Sequence, residues 1–136
     1  MTRLPDWQAR LSSLANARRN VPYQYGMTDC WCFARAAVEA TTGVVLLPGV
    51  ESPKGWLAAA KAMMSRGWSD VEEMMTALLG EPLEDPLAAR AGDIVSYEFG
   101  GEHHLAVSFG DEALSPQQVG LQVIRRASWR RAWRVG

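Results

Sequence analysis

Apolar residues recur every third or fourth position through the first half of the chain and every second position towards its end. Leu4, Trp7, Leu11 and Leu14 keep helical spacing, and Pro5 is tolerated in a first turn, so residues 4–18 are predicted to form one amphipathic helix. A loop with Pro22 and Gly26 follows. Thr28 or Asp29 can cap a second helix that begins at Cys30, carries Phe33, Ala34, Ala37 and Val38 on its apolar stripe, and stops at Gly43, where a left-handed residue is wanted. Residues 44–51 read as a connector. Ser52 with Pro53 opens a third helix, with Trp56, Leu57, Ala60 and Met63 on one face before Gly67. Ser69 with Glu72 makes a capping-box pattern for a fourth, buried through Val71, Met75 and Leu78 and ended by Gly80.

Residues 81–91 carry Pro82, Pro86 and mixed charge, the signature of a surface crossing. From Asp93 the period becomes two. IVSYEF, a Gly100-Gly101-Glu102 turn and HHLAVSF predict an antiparallel hairpin, and Ala113–Ser115, Leu121–Arg126 and Trp129–Val135 predict further strands. Helices first and strands later give an α+β class with four to five strands. At 136 residues, one domain spanning 1–136 with one core is expected.

A formal net charge of -1 with 21% charged residues argues against nucleic acid as partner. No apolar run is long enough to span a bilayer, and the N-terminus lacks the apolar stretch of a secretory signal. The basic ending, Arg125, Arg126, Arg130, Arg131 and Arg134 interleaved with Trp129 and Trp133, reads as a solvated basic face with its aromatics on the core, or else as a contact for an acidic polymer or neighbouring protein. Met63, Met64, Met74 and Met75 read as core or a soft interface, and Glu72 and Glu73 as capping and solvated charge.

Candidate chemistry is confined to Cys30, Cys32, His103 and His104. A zinc tetrad would need irregular backbone twice, because residues two apart on a helix and neighbours on a strand diverge. One cysteine and one histidine can meet. Cys30, at the helix start, faces free N–H groups and the positive dipole end, an environment that can lower a thiol pKa to about 3.5–7.5. Cys32 reads as a small buried residue. His104 shares its strand face with Ala106 and Ser108, whose small size would let a helix approach closely.

Pro22-Tyr23-Gln24-Tyr25-Gly26, Asp29-Cys30, Ala91-Gly92-Asp93-Ile94-Val95 and His104-Leu105-Ala106-Val107-Ser108-Phe109-Gly110 follow one another as the sequence blocks of the NlpC/P60 cysteine peptidases do. The chain resembles that family over residues 22–110, and its length and ending look like a phage and prophage tail-associated branch. The resemblance implies a papain-like fold in which the cysteine helix packs on an antiparallel sheet. It also implies hydrolysis of peptidoglycan stem peptides, other tail-tip or baseplate proteins as partners, a place in the virion tail after synthesis in a host cytoplasm, and neither cofactor nor metal. Carried over by position, Cys30 is the nucleophile and His104 its base. A third polar residue falls near Ser115, with Gln117 or Gln118 if the turn is longer, while Tyr23 and Asp29 fall to the oxyanion and substrate-binding group. Trp31-Cys32 stands where the family has Ser-Gly, and helices over 52–80 form an insertion longer than its usual connector. A catalytically silent tail-tip structural or assembly protein with the same fold is the alternative reading, and a cysteine-dependent acyltransferase or CHAP-like amidase a third.

Overall fold

The computed structural model describes residues 1–48 and 55–136. Four helices, α1 (Trp7–Arg18), α2 (Cys30–Thr42), α3 (Trp56–Ser65) and α4 (Val71–Leu79), precede five strands, β1 (Ile94–Phe99), β2 (Glu102–Ser108), β3 (Glu112–Gln117), β4 (Gly120–Arg125) and β5 (Arg131–Trp133). The strands form one antiparallel sheet in the order β4-β3-β2-β1-β5. The α+β class and a five-stranded sheet are therefore observed.

Helix α2 starts at Cys30 because Asp29 caps it, its Oδ1 accepting from Cys32 N at 2.8 Å, and it ends at Gly43, whose φ of 77° suits a residue without Cβ. Helix α1 starts three residues later than its apolar spacing predicts. The Leu4 N–H donates to Thr41 O at 2.8 Å, so Leu4 lies alongside the end of α2 instead of entering a helix. The predicted Ser52-Pro53 start of the third helix lies outside the described residues, and α3 is seen from Trp56. The capping box of α4 is displaced by one residue. Asp70 is the cap, accepting from Glu73 N at 3.0 Å, and Glu73 reaches back to Ser69 N at 2.7 Å.

Both faces of the sheet are covered. Helices α2 and α4 bury Phe33, Val38, Met74 and Met75 against Ile94, Leu105, Val107 and Trp133. On the other face Val95, Tyr97, Ala106, Ala113, Ile124 and Ala132 pack with Trp129, and with Leu83 and Ala89 from the 81–91 crossing. The cysteine helix thus packs on the face of the large residues Leu105 and Val107, not on the face of Ala106 as the small side chains suggested. Large apolar residues on that face remove more surface from water when a helix covers them.

The Met assignment divides: Met74 and Met75 are core, whereas Met64 is 72% exposed. The basic ending follows the first of its two readings, with Arg125, Arg130 and Arg131 on the exposed side and its aromatics on the core, although the face is partly neutralised. Trp129 and Trp133 are buried, and Arg130, Arg131 and Arg134 each meet a carboxylate.

Candidate active site

The site grows from an interruption in the sheet. Strand β3 pairs with β2 at Val107–Leu114 and Ser108–Ala113, and continuing that register would set Pro116 opposite Leu105. Proline has no N–H to give, so the ladder stops. The Leu105 backbone is satisfied by side chains instead. Ser115 Oγ donates to Leu105 O at 2.8 Å, and the Leu105 N–H donates to the Cys30 thiol. That N–H belongs to the peptide joining His104 to Leu105, which sets the sulfur of the α2 N-terminus beside the backbone of His104.

Cys30, His103 and His104 all border one cavity of about 500 Å³, walled on the far side by Met63, Trp68, Val71 and Met74 of the α3–α4 hairpin. The two histidines reach it from opposite faces of β2. His104 pairs with Tyr97 in register and stacks on its ring, with centroids 5.6 Å apart, while Nε2 meets Phe99 O at 3.2 Å. His103 pairs with Glu98 and lies on the helix-covered face, where Nδ1 meets Asp70 Oδ2 at 2.7 Å and Glu72 Oε1 at 3.4 Å. Among the described residues no hydrogen bond joins the Cys30 thiol to either ring.

The sulfur rests as a neutral thiol. Burial pushes Cys30 up to about 12, outweighing the N–H groups of Leu105 and Trp31 that favour the thiolate. The lowered pKa expected from the helix terminus is thus overturned by desolvation. Burial also pushes the Tyr23 phenol up, and the nearness of Cys30 adds to it, so this hydroxyl stays a donor at neutral pH.

Among the described residues no hydrogen bond joins Ser115 or Gln117 to His104. Tyr97 donates its hydroxyl to Ser115 Oγ at 2.7 Å, and Gln117 acts on the same phenol, so both steady the ring on which His104 stacks. The direct partner of the imidazole is the carbonyl of Phe99. Asp29 has both oxygens occupied, one by Cys32 N and the other by Gly26 N at 2.7 Å. It shapes the loop and helix start, and its position on the cavity edge is a consequence of that.

Asp70, Glu72, His103 and Tyr97 carry weight that their sequence positions do not announce. Glu72, expected to be solvated, is 7% exposed and accepts from Ser96 Oγ at 2.7 Å, Arg130 Nε at 3.2 Å and Arg131 Nε at 3.3 Å. Asp70, Glu72 and His103 offer donor atoms within 4.8 Å of one another, a spacing a cation could use. Two guanidinium groups already balance Glu72, so the charge that would draw a divalent ion is met from within the protein.

Burial opposes ionisation of both carboxylates, but the Glu73 N–H and His103 at Asp70, and Ser96 and Arg130 at Glu72, hold them below the usual range. A carboxylate lowered on folding stabilises the fold above its unfolded pKa, and this is lost as pH falls through the folded value. The melting temperature should therefore hold near neutrality and drop below about pH 4. Glu72→Gln should melt lower at pH 7 yet lose less between pH 7 and pH 3 than the unaltered protein, which thermal melts at both pH values would check.

Fold and site together define an α+β domain with a buried thiol and two imidazoles around one cavity. Residues 2–135 match the model of a domain of unknown function, DUF6950, and the chain belongs to that family. No curated protein matches the sequence.

Proposed function

We propose that this protein is a papain-like cysteine hydrolase of the NlpC/P60 kind, carried on a phage tail, that cuts peptidoglycan stem peptides during cell-wall penetration. The observation that carries the reading is the contact of the Cys30 thiol with the amide following His104, beside a cavity that both residues line. Phe99 O can only accept, so Nε2 of His104 carries the proton and the lone pair of Nδ1 is left for the thiol. Cys30 attacks the amide carbonyl as His104 takes its proton, and His104 then protonates the departing amine. The Tyr23 hydroxyl and the backbone N–H of Cys30, at the start of α2, are the donors for the oxyanion. Water releases the acyl group.

Incubation with purified peptidoglycan, followed by mass analysis of the released muropeptides, tests this. New peptide termini that appear with the unaltered protein and not with Cys30→Ala support it. A catalytically silent tail-tip structural protein is the second reading, favoured by the neutral buried thiol and by Trp31-Cys32 in place of Ser-Gly. Absence of new termini from pH 5 to 9 would select it.

A further inference from the structure

We propose that His103, positioned by Asp70, is the base that activates the hydrolytic water, a role distinct from that of His104. The proposal rests on the reading of Cys30 as nucleophile. Two imidazoles border the cavity that holds this thiol, and each has one nitrogen fixed by a partner that only accepts. For His104 the fixed nitrogen is Nε2, on Phe99 O. For His103 it is Nδ1, 2.7 Å from Asp70 Oδ2. The lone pair of neutral His103 is therefore on Nε2, the nitrogen left without a carboxylate.

The charges around the two rings differ in a way that suits two steps. Glu72, 3.4 Å from the same nitrogen, is already balanced by Arg130 and Arg131, so Asp70, at 2.7 Å, is the carboxylate that chiefly balances His103 once it takes a proton. A carboxylate on the far nitrogen fixes the tautomer and stabilises the imidazolium that forms. His104 has a carbonyl there, and after protonating the departing amine it is neutral again.

The deacylation step balances without any further reactant. Water oxygen bonds to the acyl carbon while one water proton passes to His103 Nε2. The carbon–sulfur bond breaks, Cys30 leaves as thiolate, and it recovers a proton from the His103 imidazolium through solvent.

The same residues also latch α4 to the β1–β2 hairpin, so the test must separate chemistry from support. Asp70→Asn keeps an acceptor for Glu73 N, since asparagine caps as well as aspartate, while removing the charge. With p-nitrophenyl acetate as probe, the unaltered protein should give a burst and then steady release. His103→Gln should keep the burst, slow steady release by roughly 10²-fold, and accumulate an acetyl adduct on Cys30 in intact-protein mass spectra. Asp70→Asn should slow the same phase by roughly 10-fold. Hydroxylamine, which attacks without a base, should restore release in both, an effect no merely structural loss produces. His104→Gln should lose the burst itself. Equal slowing of burst and steady release in His103→Gln, an unchanged steady rate, or failure of hydroxylamine to restore it would overturn the role of His103 and leave Cys30 in place. Absence of any Cys30 adduct in the unaltered protein and in all variants would overturn the nucleophile, and this proposal with it.

Discussion

Cys30→Ala is expected to lower turnover of a peptide amide by roughly 10⁶-fold, the scale seen when a covalent nucleophile is removed from a preorganised site. The melting temperature should fall by no more than about 10 °C, because alanine removes one sulfur atom from the buried core and leaves the Leu105 N–H without its acceptor. Cys32→Ala should stay active, since the Cys30 thiol is the one bonded to the Leu105 amide. Tyr23→Phe should fall between these, losing about 10²- to 10³-fold, as removal of one oxyanion donor does. The buried neutral thiol adds a second signature. Iodoacetamide should modify Cys30 slowly at pH 7 and ever faster beyond pH 9, following a thiol raised to about 12. A rate that levels off below pH 7 would mean that thiolate and imidazolium coexist at rest, and that burial does not set the state of this sulfur.

The parts of this site that depend on local chemistry were legible in the sequence. Asp29 before Cys30 and Gly43 after Thr42 mark the ends of α2 by capping rules alone, and the alternation on either side of Gly100-Gly101 marks the hairpin. What escaped depends on distant partners. Glu72 in a first helical turn looks like a solvated charge, and only the return of Arg130 and Arg131, 58 and 59 residues later, makes it a buried hub. Ala106 and Ser108 do not decide which side of β2 receives the cysteine helix, because small residues also admit a second, smaller core, here built on Trp129 and the 81–91 crossing. The doubling of histidine at 103 and 104 was the one available hint that two rings, and not one, border the cavity. Pro116 was visible too, but its effect requires the register of β3 against β2.

Asp93→Ala is expected to be the most damaging single change to stability. Asp93 is fully buried at the entry to β1, and its carboxylate accepts from Arg90 N and Val135 N at 2.9 Å each and from Arg3 at 3.1 Å, with Arg134 at 3.7 Å. Arg3 in turn donates to Ala91 O at 2.7 Å and Val135 O at 2.9 Å, and lies over the Trp7 ring. One buried carboxylate therefore ties residues near both ends of the chain to the strand that pairs with both β2 and β5. Alanine would leave two N–H groups without an acceptor and a part-buried guanidinium without its counter-charge, a break that costs about 3–5 kcal/mol when one partner of a buried ion pair is removed. For a chain of this length that corresponds to a melting temperature lower by roughly 10–20 °C. Arg3→Ala should cost less, because Arg134 and the two N–H groups still face the carboxylate. A thermal melt of both variants checks the order, and an Asp93→Ala protein that melts within about 3 °C of the original would show that the clamp contributes little to holding the two ends of the chain on the sheet.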